Sequence, residues 1–294
     1  SSAASDVYKR QPIIVFQFCK GKEFFSKEYW GYALRIGIPI VPHYLSGIIL
    51  NQGDRIMIDK MVGKTEVALY GLAYSIGMLV QLFISGMNSA LTPWMYSKIK
   101  KGDICSMRKV LQLLSVVVVG IAVALMLISP ELVLIFGSPK YREAVYVIPP
   151  VAASVFFIFI YNILSMPQFY YEKTQFLMAA SMAAAGANVV LNFIFIRLFG
   201  YIAAGYTTLA CYMLYSVGHY IVSKRILVNE EIQENLMSPG FLVASSVFLI
   251  GASIICNLIF PYRILRYAIL LASAGLVFWK KELLLKTMAD IRKK

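Results

Sequence analysis

One long apolar stretch of the sequence carries His43, Asn51, Asp54 and Arg55, which together offer an imidazole, an amide, a carboxylate and a guanidinium. Such groups are costly in hydrocarbon, so they face a bundle interior or a watery cavity and mark substrate or ion paths. Read as a helix at about 100° per residue, Arg35, Pro39, His43, Ser46, Gly47, Asn51 and Asp54 share one face. Ile38, Val41, Leu45, Ile48 and Ile49 point the other way. One side is suited to a polar cavity, the other to lipid or core.

Two further stripes follow the same logic. Tyr74, Gly77, Gln81, Ser85, Asn88 and Thr92 recur at helical steps, as do Ser181, Ala184, Asn188 and Asn192. Small and amide side chains in membrane helices either join neighbouring helices or line a cavity. For Asn188 and Asn192 the alternatives are a hydrogen bond to a neighbouring helix and the binding of sugar hydroxyls. Pro39, Pro42, Pro149, Pro150 and Pro167 fall inside apolar spans, where neighbouring helices can re-satisfy the carbonyls they free.

These stripes require long helices to carry them. Hydrophobic residues make up 59% and charged residues 15% of 294, and the mean hydropathy is +0.70. Such a composition predicts an all-α, polytopic membrane helix bundle. Eight spans are expected, near 32–59, 67–95, 110–136, 145–169, 175–196, 201–222, 240–260 and 264–280. On one side of them lie 17 Lys and Arg residues and on the other 7, which predicts cytoplasmic ends by the positive-inside rule. The net charge of +13 follows from this topology and from anionic lipid headgroups, so no nucleic-acid partner is expected.

Other classes find little support. Cys19, Cys105, Cys211 and Cys256 lack a CxxC spacing, and His43 and His219 are the two histidines, so no metal, cofactor or disulfide framework is expected. Neither histidine sits in a nucleophile motif, and no long outer loop is available to hold catalytic groups, so an enzyme is not expected.

The expected organisation is a non-native or read-through segment at 1–11 and the end of an earlier helix with a loop at 12–31. A six-helix lobe at 32–222, a cytoplasmic loop at 223–239, and two peripheral spans with a basic tail at 240–294 follow. The chain is expected to be a fragment. The third span is expected to face lipid, His219 to lie at the cytoplasmic interface, and the last two spans to carry almost no internal polarity. The apolar face of Leu283, Leu284, Leu285 and Met288 is expected to rest on the inner leaflet.

Several motifs occur in a telling order. They are Ile38-Pro39-Ile40-Val41-Pro42-His43 leading to Asn51 and Asp54-Arg55, then Tyr70 through Tyr74, Asn88 with Pro93, and Lys173-Thr174. Asn188, Leu191-Asn192, and Phe199-Gly200 through Ala203-Ala204-Gly205 complete the series. This order resembles polysaccharide-biosynthesis flippases of the Wzx type, in the multidrug/oligosaccharidyl-lipid/polysaccharide exporter superfamily, over most of residues 20–280. The resemblance implies a MATE-like second lobe plus two trailing helices, in the cytoplasmic membrane of a bacterium or archaeon. It also implies flipping of undecaprenyl-diphosphate-linked oligosaccharide by alternating access, with membrane lipids and an N-terminal lobe of the same transporter as partners. His43, Asn51, Asp54, Arg55 and Asn88 match the family's polar cavity wall. Arg35, Arg55 and His43 offer cations for phosphates, and Asn51, Asn88, Asn188 and Asn192 offer amides for glycan. At 1.5 Å per residue, His43 lies near mid-membrane while Arg35 and Arg55 lie near opposite interfaces. Pairing of Arg55 with Asp54 or a partner helix, and a packing role for His43, are the structural alternatives. A cation-coupled drug antiporter of the same superfamily is the alternative function, with Asp54 as its coupling carboxylate.

Overall fold

A computed structural model describes residues 25–279 and short helical stretches at 11–12, 15–17 and 19–21. The expectations for residues 1–10 and for the basic tail at 280–294 lie outside the described residues. Among the described residues the fold is all helix. The elements are α1 (Lys27–Met61), α2 (Lys64–Gly77), α3 (Leu79–Lys100), α4 (Ile104–Phe136), a 3-10 segment (Pro139–Val147), α5 (Ile148–Tyr170) and α6 (Thr174–Phe199). α7 (Ile202–Asn229), α8 (Pro239–Ile259) and α9 (Arg263–Trp279) follow.

Local chemistry sets many of these limits. Asp103 caps α4 by accepting from the Ser106 amide at 3.3 Å, and Ser238 stands ahead of Pro239 to begin α8. Gly200 ends α6 in a left-handed conformation, φ 73°, with its amide bonded to the Ile196 carbonyl at 2.9 Å. Within α4, Pro130 cannot donate to the Met126 carbonyl, and the Ser129 hydroxyl bonds that carbonyl instead at 2.7 Å.

All eight expected spans are helical over their described residues. Among the described residues, six helical segments are long and apolar enough to cross a membrane: 27–61, 64–100, 104–136, 139–170, 174–199 and 239–259. The other two differ for separate reasons. α7 is diluted by Thr207, Thr208, Ser216, His219 and Ser223, all buried, and the described part of α9 has 17 residues.

The bundle is arranged around α5, which is buried without interruption from Ile148 to Ile160. Its most extensive partner is α7, while α1 packs on α6. α1 remains helical through Pro39 and Pro42, whereas the second span is divided at Met78, φ −82° and ψ 1°. The third span does not simply face lipid. α4 buries Leu111, Ser115, Val118, Ala122, Met126, Ser129 and Val133 along one side, because α5 needs cover on that flank.

The last two helices also depart from expectation. Arg266 of α9 is 3% exposed and reaches Glu131 of α4 with two bonds of 2.8 Å, and it also donates to the Leu127 carbonyl. A bidentate guanidinium–carboxylate pair satisfies charge and geometry together, so α9 is fastened by a polar clamp rather than by apolar contact alone.

Candidate functional site

The polar residues of the first span sit on α1 in an i, i+4 stripe in which Ser46, Leu50, Asp54 and Ile58 are buried. Ile38, Val41, Leu45, Ile48 and Ile49 are exposed on the outward side. The stripe meets α2, α6 and α7, and the polar groups divide there into two sets.

The deeper set is closed. Asp54 is 0% exposed and accepts from Tyr70 Oη at 2.5 Å, Thr208 Oγ1 at 2.6 Å and Asn192 Nδ2 at 2.6 Å. Asn192 also donates to Asn188 Oδ1 at 3.2 Å and accepts from the Thr207 hydroxyl, and Asn188 donates to Thr208 at 3.4 Å. Four helices thus converge on one carboxyl group. Buried polar groups of this kind are tolerated because every one finds a partner. Of the predicted site residues, Asp54, Asn188 and Asn192 are brought together here, fully buried and bonded to protein.

The second set is open. A cavity of about 180 Å³ is lined by His43, Tyr44, Gly47, Leu50 and Asn51 of α1, by Tyr161, Asn162, Ser165 and Phe169 of α5, and by Tyr212 and Tyr215 of α7. His43 Nδ1 lies 3.1 Å from Tyr215 Oη. Asn51 Oδ1 accepts from Tyr74 Oη at 2.7 Å and from Tyr212 Oη at 3.5 Å, while its amide nitrogen bonds the Gly47 carbonyl at 2.7 Å. Asn51 therefore ties α1 to α2 and α7 at the edge of the cavity. The cavity presents hydroxyl, amide and imidazole groups against aromatic faces, a mixture suited to a neutral polar ligand bearing hydroxyls.

Arg55 makes no ion pair with Asp54 among the described residues. Its guanidinium lies 5.3 Å from the Tyr74 ring centroid and donates to Gln52 Oε1 at 3.3 Å, and its Nε is buried without an acceptor. Asn88 stands apart on α3. Its Oδ1 is buried without a donor, and no hydrogen bond joins its side chain to the α1 groups among the described residues.

His219 is a correction to the sequence reading. It is 0% exposed rather than interfacial, 2.8 Å from Gln168 Nε2, with the Tyr215 ring at 4.5 Å and the Tyr161 ring at 5.9 Å. The residues missed were Thr207, Thr208, Tyr212, Tyr215 and His219. Thr208, Tyr212, Tyr215 and His219 recur at three- and four-residue steps on α7, a stripe of the kind that singled out the other helices. Among the described residues, no group of three or more His, Cys, Asp or Glu side chains is placed to hold a metal ion.

A multi-pass helical membrane protein with a polar cavity among its helices is the class that this geometry defines. Residues 10–99 match the model of a family described as polysaccharide biosynthesis protein. Two relatives from Haemophilus influenzae are similar to it. Protein 1 of the Lsg locus is 28% identical over 55% of this chain and 41% of its own length. An uncharacterized membrane protein is 29% identical over 52% of this chain and 39% of its own length. The chain thus spans about two fifths of the curated relatives that it matches. No solved structure matches it significantly.

Proposed function

We propose that this chain is a lobe of a transporter that flips undecaprenyl-diphosphate-linked oligosaccharide across the cytoplasmic membrane of a bacterium or archaeon for cell-surface polysaccharide export. The observation that carries the reading is the α1–α5–α7 cavity, joined to the family match over residues 10–99. Its hydroxyl, amide and aromatic lining suits a glycan, because sugar hydroxyls both donate and accept. At about 180 Å³ it is smaller than typical ligand sites of roughly 300–1,000 Å³, as one wall of a larger chamber would be. An N-terminal lobe of the same transporter is the partner that would supply the other wall, with both ends of this chain cytoplasmic and membrane lipids around it. The lobes would rock about the cavity in alternating access.

Of the candidate substrate-binding residues, His43 and Asn51 are assigned to direct contact and Arg55 to the phosphates. Asp54, Asn188 and Asn192 are assigned to holding the α1 wall, and Asn88 to a separate stretch of the path on α3. The test is complementation of a strain lacking this transporter, with surface polysaccharide and membrane-inserted protein both measured. His43→Ala and Asn51→Ala should each lower polysaccharide at least tenfold at unchanged protein level. Wild-type polysaccharide from both would remove the cavity from the path.

One observation favours a second reading, a cation-coupled drug antiporter. Asp54 is a fully buried carboxylate ringed by neutral groups from three other helices, where a proton or sodium ion could be exchanged. Drug efflux driven by a proton or sodium gradient, abolished by Asp54→Asn in cells with intact polysaccharide, would select it.

A further inference from the structure

Far from the α1 cavity, a second cavity of about 660 Å³ lies between the end of α4, the 3-10 segment and the α8–α9 turn. It belongs to the membrane face that the basic-residue count assigns to the outside. That face carries few cations, yet Arg142, Arg263 and Arg266 all line this one cavity. Glu131 neutralises Arg266 and uses both of its terminal nitrogens. Arg142 and Arg263 have no carboxylate partner among the described residues, and Glu143 is the one unpaired carboxylate of the lining. Arg266, 3% exposed, keeps a buried Nε without an acceptor.

We propose that this cavity binds a phosphate-bearing headgroup. The guanidinium groups of Arg142 and Arg263, with the unpartnered Nε of Arg266, favour a tetrahedral oxyanion that can accept from several donors at once. The volume falls within the roughly 300–1,000 Å³ of ligand sites, room for a phosphate with its ester substituent rather than for a lone ion. Of the lining, Leu134 is 54% and Tyr146 40% exposed, so acyl chains can lie beside the headgroup. The site is independent of the transport reading.

The test uses the full chain in a neutral detergent, with binding read by native mass spectrometry. The probes are dioleoylphosphatidylglycerol, dioleoylglycerol, which lacks the phosphate, and glycerol 3-phosphate, which lacks the chains. The phosphatidylglycerol should bind at least tenfold tighter than dioleoylglycerol. Arg142→Ala with Arg263→Ala should weaken it fivefold or more, Arg142→Lys with Arg263→Lys should weaken it less, and Glu143→Gln should tighten it. Lys64→Ala removes a charge on the same face outside the lining and should leave it unchanged. Weaker binding of glycerol 3-phosphate identifies a lipid headgroup as the source, and equal binding identifies a soluble phosphate ester. Equal affinity for dioleoylglycerol, indifference to the double arginine variants, or an equal loss from Lys64→Ala would overturn the proposal.

Discussion

Tyr70 donates to Asp54 across 2.5 Å, and neither side chain is exposed at all. This bond joins α2 to α1, and the same carboxyl group gathers α6 and α7 through Asn192 and Thr208. Tyr70→Phe deletes one donor and leaves the acceptor two others, so it should cost about 1 kcal/mol. Asp54→Leu removes the acceptor that Tyr70, Thr208 and Asn192 share and should cost about 3 kcal/mol or more. Thermal unfolding in detergent should rank wild type, Tyr70→Phe and Asp54→Leu in that order.

Arg55 lies against Tyr74 instead of pairing with Asp54, so its charge is available to a ligand. Arg55→Ala in the complete transporter should lower surface polysaccharide about tenfold, matching the loss of a charged contact worth about 1.5 kcal/mol. The folded protein should persist, since Arg55 makes no ion pair among the described residues and is held by a ring contact and one long hydrogen bond. Unchanged polysaccharide would take Arg55 out of the site.

Gly77 ends α2 where α5 passes close by. A Cβ built there would stand 2.6 Å from Val151 Cγ1 and 2.9 Å from Val151 Cβ. Gly77→Ala should therefore destabilise by about 1–3 kcal/mol, the usual range for overpacking. Val151→Ala should recover part of that loss when combined with it, a non-additivity that a double-mutant cycle of melting curves reads directly.

The clamp between Arg266 and Glu131 calls for a different pattern. Removing one partner strands the other, so Arg266→Met and Glu131→Gln should each destabilise more than the pair exchanged together. Because Glu131 is 26% exposed, the single costs should lie near 1–2 kcal/mol, less than for a fully buried pair. A double variant that melts below both singles would contradict this account.

Sequence periodicity captured the helices well, because a run of apolar residues in a chain this hydrophobic admits few other structures. The first span was expected at 32–59 and the helix runs from Lys27 to Met61. The outward face of Ile38, Val41, Leu45, Ile48 and Ile49 was equally legible, since a single helix fixes its own faces. What could not be read was which helix meets which. A polar stripe looks the same whether it faces a cavity or a partner helix. Asp54 and Asn51 are three residues apart on one face, yet Asp54 is enclosed by Tyr70, Thr208 and Asn192 while Asn51 borders open space. The burial of His219 and the polar clamp of Arg266 were illegible for the same reason, because they depend on Gln168 and Glu131, residues 51 and 135 positions away. The break at Met78 carries neither proline nor a polar run to announce it.

Because α5 is enclosed on every side from Ile148 to Ile160, the tolerance of the chain to random substitution should be sharply uneven. A larger residue there has no lipid into which it can turn, and a smaller one leaves a void that the neighbours cannot fill. On the outward face of α1, one apolar side chain can replace another with little consequence, since fluid acyl chains reshape around it. A saturation library selected for stable insertion should therefore retain few variants along α5 and many at Ile38, Val41 and Ile48, tracing the spindle of the bundle in sequence counts alone.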